Sequence, residues 1–141
     1  DMQEIDSLEQ KQLYPQGRIL LVEDEPAIAE IQYSILTNYP LQHTVDMAPN
    51  AQVAEDLFNR NTYDLVSLDY VLPGTRNGMD LYKVIRSKSS VPVIFVSGNV
   101  HYIERIAKYK DADPNLDFIQ KPCTNVQYLD KINEWMCKVK G

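Results

Sequence analysis

The chain has 141 residues, 44% apolar and 24% charged, a balance that fits one globular domain able to bury a core without staples. No apolar run nears the roughly 18 residues of a membrane span, and residues 1–17 lack the apolar core of a secretion signal. A net charge of −6 argues against nonspecific nucleic-acid binding, which needs surplus Lys and Arg, though not against a docking face for a basic partner.

Residues 1–17 are polar, with Ile5, Leu8 and Leu13 scattered among them, and close on Pro15-Gln16-Gly17. They read as an N-terminal extension, frayed or forming one short helix, or as the tail of a linker. Position 1 is not Met, so the chain is read either as a fragment or as starting natively at Met2. Arg18-Ile19-Leu20-Leu21-Val22 is a first buried strand and runs into Glu23-Asp24-Glu25-Pro26. Pro26 suits a first helical turn, and the acids ahead of it favour the helix dipole. Ile28, Ile31 and Ile35 then recur at helical spacing and are expected to face the core.

Residues 41–47 give a second, more polar strand, and Pro49-Asn50 opens a helix with Val53, Leu57 and Phe58 on one side. The third strand, about 64–68, ends at Asp69 and is followed by Pro73-Gly74. A short helix over 78–87 carries Leu81, Val84 and Ile85. The run 91–96 is a fourth strand, ending at Ser97-Gly98-Asn99, and a helix over about 100–110 presents Ile103, Ile106 and Ala107. Residues 116–119 form a short fifth strand that stops at Lys121-Pro122. A last helix from about 124 is expected to bury Val126, Leu129, Ile132, Met136 and Val139, with Trp135 also packing.

Cys123 and Cys137 fall at the two ends of that helix, roughly 20 Å apart at about 1.5 Å per residue, too far for a disulfide. Two free thiols suit a reducing cytoplasm, and no CxxC or Cys/His cluster suggests zinc. His43 and His101 are isolated and read as surface or structural residues.

Strand and helix alternate five times. The near-continuous apolar runs of strands one, three and four imply burial on both faces, as in a parallel sheet covered by helices. The expected fold is α/β, an open doubly wound five-stranded parallel sheet with five helices, formed by residues 18–141 as a single domain. In such a sheet, ligands bind beyond the carboxyl ends of the strands. Glu23, Asp24, Asp69, Ser97 and Lys121 occupy those ends here. Three close carboxylates repel unless protonated or neutralised by a cation, and an oxygen-only donor set points to Mg²⁺. A Lys and a Ser nearby would contact the oxygens of a phosphoryl group, with Asp69 as the natural nucleophile.

Each element alone has a plainer reading. Glu23-Asp24 could simply favour a helix N-terminus, Asp69 could cap a turn, and Lys121-Pro122 could be a solvated loop. Their ordered coincidence points to a site.

Four segments, 20–25, 68–74 with Gly78, 96–98 and 118–122, resemble the motifs of a response-regulator receiver domain, the phosphoacceptor module of two-component signalling. The likeness runs from about 18 to 139 and implies the flavodoxin-like strand order 2-1-3-4-5. It implies that Asp69 accepts a phosphoryl group from a phosphohistidine on a sensor histidine kinase or phosphotransfer protein. Asp24 would bind Mg²⁺ directly, Glu23 would assist through water, and the Val71 carbonyl would add a ligand. Lys121 would pair with phosphoryl oxygens, Ser97 would move to bond them, and Phe118 would turn inward with it. The bond before Pro122 would be cis. Such a domain is regulatory rather than an enzyme, assisting its own phosphorylation and dephosphorylation. It would sit in the cytoplasm and touch neither membrane nor nucleic acid directly. The face made by the helix near 100–110, the fifth strand and the last helix is where such domains commonly pair as homodimers.

Some features depart from the resemblance. The loop 69–78 looks one residue longer than usual, and 111–115 is longer and lacks a Gly before the fifth strand. Phe118 has no hydroxyl, so a switch there would rely on packing. Val71 and Asn99 carry no charge, which predicts no strong built-in acceleration of hydrolysis. A receiver fold that binds partners without phosphorylation is the alternative. A phosphatase of the haloacid-dehalogenase type would want an acid at Val71, and no GxGxxG or GxSxG supports dinucleotide binding or a serine nucleophile.

Overall fold

The computed structural model describes residues 1–141. Its elements are α1 (Met2–Leu13), β1 (Arg18–Val22), α2 (Pro26–Thr37), β2 (Thr44–Ala48), α3 (Ala51–Arg60), β3 (Leu65–Asp69), α4 (Gly78–Lys88), β4 (Val93–Ser97), α5 (Val100–Lys110), β5 (Leu116–Gln120) and α6 (Asn125–Lys140). The five strands are all parallel in the order β2-β1-β3-β4-β5.

There are six helices rather than the expected five. The extra one, α1, is made of strong helix formers and opens on a capping box between Asp1 and Glu4. It buries no residue, which is why no apolar stripe announced it. It is held at its C-terminal half, where Gln10 Nε2 donates to the Pro40 carbonyl at 2.8 Å and Asn133 Nδ2 donates to the Leu13 carbonyl at 2.9 Å. Tyr14 then packs against the core.

Strand edges shift by a few residues for local reasons. Pro92 lacks an N–H, and β4 begins after it, with the Pro92 carbonyl accepting from Val66 N–H at 2.9 Å. Residues 38–43 form a connection rather than strand. Leu41 plugs the core there, and Gln42 takes a φ of 55°, a left-handed conformation that a strand does not admit.

The sheet separates two cores. One, of 19 buried residues, lies under α3, α4 and α5 and contains Tyr63, Tyr70, Tyr82 and Phe95. The other, of 12, lies under α2 and α6 and contains Leu36, Tyr128, Ile132, Trp135 and Met136.

The stripe that α2 turns inward is Ala29, Gln32 and Leu36, not the expected Ile28, Ile31 and Ile35. Ile28 and Ile35 are half-buried flanks, and Ile31 is 52% exposed. On α3 the buried residues are Ala51 and Ala54, with Leu57 and Phe58 only partly covered and Val53 exposed. Leu81, Ile85 and Ile106 are buried as expected, whereas Val84, Ile103 and Ala107 are half-buried. On α6, Val126 and Val139 are exposed and Leu129 is half-buried, while Tyr128 is sealed in their place. His43 is buried and structural, and His101 is exposed. Neither cysteine is in a disulfide, and no helix is long and apolar enough to cross a membrane.

Candidate functional site

Strand register assembles one rim from distant parts of the chain. Val22 pairs with Leu68, so Glu23 and Asp69, the next residue on each segment, emerge side by side. Asp69 pairs with Val96 and Ser97 with Gln120, which carries the rim on to Ser97 and Lys121. Neighbouring strands are about 4.8 Å apart, so the groups lie within one small ligand's reach.

Glu23, Asp24 and Asp69 present carboxylate oxygens that all lie within 4.8 Å of one another. Glu23 is only 5% exposed. Burial, then a hydrogen bond with Asp69 and that neighbour's charge, push its carboxyl up to about 8. Lys121 opposes this, with Nζ 3.5 Å from Glu23 Oε1, and the Asp24 N–H donates to Glu23 Oε2 at 2.9 Å. One ammonium facing three acids leaves an excess of negative charge. A hard divalent cation with oxygen ligands is the group that such a cluster accommodates.

Asp69 is half-buried at the end of β3, and its Oδ1 accepts the Val71 N–H at 3.3 Å. The ion pair of Lys121 is with Glu23 rather than Asp69. Ser97 is buried, its hydroxyl accepting the Asn99 N–H at 3.3 Å and its carbonyl accepting the Lys121 N–H at 2.8 Å. Phe118 pairs in register with Phe95, two steps below the Ser97–Gln120 pair and therefore on the same sheet face. It is half-buried against the larger core, with Lys110 Nζ 5.6 Å from its ring centre. Val71 is exposed on the loop after Asp69, and the Lys121–Pro122 peptide is cis.

Of the residues that hold the surrounding loops, Gly78 is part of the motif quoted above, whereas Arg76, Asp113, Arg86 and Tyr82 were not visible in the sequence. A Cβ on Gly78 would fall 2.3 Å from the Asp69 carbonyl, so glycine is required where α4 begins against the end of β3. The Gly78 N–H donates to the Tyr70 carbonyl at 2.7 Å and closes the loop. Arg76 ties that loop to α3 through Glu55 at 2.6 Å. Asp113 anchors the segment before β5. It accepts from Arg86 Nε at 2.8 Å and from the Tyr82 hydroxyl, while Arg86 also bonds the Ser89, Val91 and Asn115 carbonyls. Local motifs do not reveal the Arg76–Glu55, Arg86–Asp113 and Tyr82–Asp113 pins, because those partners lie 21 to 31 positions apart.

The sequence profile of the response regulator receiver domain matches residues 19–133. The chain belongs to that family. The receiver is 34% identical over 122 residues to the uncharacterized transcriptional regulatory protein YcbL of Bacillus subtilis (strain 168), covering 80% of this chain and 48% of that protein. It is 34% identical over 115 residues to the sensory transduction protein RegX3 of Mycobacterium tuberculosis (strain ATCC 25618 / H37Rv), covering 81% and 48%. The receiver thus spans about half the length of these curated relatives. Among solved structures, the CheY-like receiver domain protein of Methanospirillum hungatei JF-1 superposes with a TM-score of 0.75 at 25% identity, covering 89% of this chain and 97% of that one.

Proposed function

We propose that this receiver is a phosphorylation-dependent signalling switch, in which Asp69 accepts a phosphoryl group from a phosphohistidine on a sensor histidine kinase or phosphotransfer protein. The observation that carries the reading is the convergence of Glu23, Asp24 and Asp69 within 4.8 Å, with the Lys121 ammonium 3.5 Å from Glu23. Residues 18–141 form the receiver, and 1–17 are its N-terminal extension.

Asp24 and Asp69 would hold Mg²⁺, with Glu23 assisting and the Val71 carbonyl completing the protein's share. The ion supplies charge neutralisation for the acids and for the incoming phosphoryl oxygens. An Asp69 oxygen forms the new bond to phosphorus as the phosphorus–nitrogen bond to the donor imidazole breaks. Lys121, now shared with Glu23, turns to the new negative charge. Ser97 Oγ only accepts a 3.3 Å bond from the Asn99 N–H, so its own hydroxyl proton is free to be donated to a phosphoryl oxygen. Phe118, on the same face, follows by packing. The complete acidic, Ser and Lys set gives no support to a receiver that works without phosphorylation.

The surplus of negative charge supports contacts with proteins rather than nucleic acid, and the two free thiols support a cytoplasmic setting. A homodimer, where one forms, would use the α5–β5–α6 face. Incubation with acetyl phosphate and Mg²⁺ is expected to add one phosphoryl group by intact mass, abolished by EDTA and by Asp69→Asn. Equal incorporation in Asp69→Asn would refute the assignment.

A further inference from the structure

Two exposed surfaces of this receiver carry opposite charge, and each has apolar groups that nothing covers. The first is α1. Met2, Ile5 and Leu8 recur at three-residue spacing and are all more than half exposed. Gln10, which fastens the helix to Pro40, lies about 140° round from Ile5 at about 100° per residue, so the stripe points away from the body. Asp6 and Glu9 accompany it, exposed and without an ion pair in the chain.

The second surface lies between α4 and α5. Tyr109 of α5 is 40% exposed, and Lys83 of α4 reaches over its ring at 5.5 Å. Arg105 stands one turn before Tyr109, and Lys108 beside it. Most Lys and Arg of the chain are paired with an acid, whereas Lys83, Arg105 and Lys108 are exposed and unpaired. The acids nearby are engaged, Asp80 in the cap of α4 with Asn77 and Glu104 beside His101 at 4.0 Å. Three unneutralised cations around one exposed ring mark a surface for an acidic, partly apolar partner, in a chain whose net charge is −6.

Helix α1 has that chemistry, but it cannot reach the α5 of its own chain. Gln10 and Leu13 tie it to Pro40 and Asn133, on the α2–α6 side of the sheet, and Ile106 of α5 packs into the opposite core. We propose that two copies of this chain pair by exchanging α1, the stripe of each covering Tyr109 of the other with Asp6 and Glu9 set against Lys83 and Lys108. The two helices are alike in length, about 18 Å for α1 and about 16 Å for α5. One such helix covers less than the roughly 800 Å² per partner of a stable complex, and reciprocal exchange doubles the contact. The pairing is separate from the α5–β5–α6 face, since Tyr109 lies on the flank of α5 turned to α4 while Lys110 reaches Asp117 of β5 on the other. Neither surface includes Asp69 or Lys121, so the exchange does not rest on the phosphoacceptor reading.

Sedimentation velocity of the full chain, with no phosphodonor, tests this. A concentration-dependent dimer is expected in about 0.1 M NaCl, severalfold weaker in about 1 M, where the Debye length falls from roughly 10 to 3 Å. Ile5→Ser, at an exposed position, should raise the dissociation constant about tenfold. Asp6→Lys with Glu9→Lys should give a monomer, and so should Lys83→Glu with Lys108→Glu, because each places like charges across both contacts. Mixed one to one, the two double variants should recover the dimer, since every contact then joins opposite charges again. That recovery also shows that neither variant lost pairing by misfolding. A native chain that stays monomeric up to about millimolar concentration, or a mixture that fails to recover the dimer, would overturn the proposal. A dimer that survives both charge reversals would overturn it too, and would move the contact to the α5–β5–α6 face.

Discussion

The two faces of the sheet are built differently. Under α3, α4 and α5 the core is sealed by aromatic rings: Tyr70 stacks on Tyr102 at 4.1 Å and lies 5.9 Å from Phe95, which in turn lies 5.8 Å from Tyr82. Under α2 and α6 the core is smaller, carries the buried polar pair Ser67–Tyr128, and opens into a groove beside Lys121. On the first face, Phe95 of β4 and Tyr70 just after β3 meet Tyr82 of α4 and Tyr102 of α5. On the second, α6 supplies Tyr128 and Trp135, but α2 brings only Ala29, Gln32 and Leu36 to the sheet and leaves its isoleucines at the margin. One face is committed to packing, and the other keeps surface in reserve.

Substitutions can break this contrast. Phe95→Ala, at a fully buried position among rings, is expected to lose about 3–5 kcal/mol in urea unfolding. A loss under about 1 kcal/mol would mean that the aromatic face is not close-packed.

A smaller effect belongs to the lower edge of the second face. His43 Nδ1 accepts the Gly17 N–H at 3.1 Å, and burial, partly offset by Asp64, lowers its pKa to about 4. Below pH 6.5 the unfolded chain gains a proton there that the folded chain refuses until about pH 4. Stability therefore falls as pH falls through that window, by roughly 3 kcal/mol from this group. His43→Asn keeps an acceptor for Gly17 and carries no charge, so its unfolding free energy should vary correspondingly less from pH 7 to 4. Identical slopes in the two proteins would remove His43 as the cause.

The smallest effect is expected at the groove, which Gln32 lines. Gln32→Leu removes an amide that has no partner in the protein, so stability should stay constant or rise by up to about 1 kcal/mol. A loss of more than about 1 kcal/mol in the same urea titration would show that the two faces are equally committed.

The strands were legible because β1, β3 and β4 are continuous apolar runs, and Asp69 was legible because an acid ends one of them. The burial of α2 was not. Positions 28, 31 and 35 and positions 29, 32 and 36 share one helical period a residue apart, and three isoleucines outweigh Ala, Gln and Leu by hydrophobicity alone. Tertiary fit chose the other stripe, since small Ala29 lets the helix approach the sheet. Helix α1 was hidden because it covers nothing. Strand ends placed Glu23, Asp69, Ser97 and Lys121 along one rim, but the pairing of Lys121 with Glu23 depends on a distance across 98 positions that no local pattern encodes.

Asp117 deserves a last consequence. This one buried carboxylate accepts from Lys110 at the end of α5, from Lys131 and Trp135 of α6, and from the Phe118 N–H, which together hold its pKa well below the usual range. It works as a rivet through three adjoining plates. Neither helix can slide along β5 without unfastening a bond at that point, so a partner leaning on this side meets a single stiff panel.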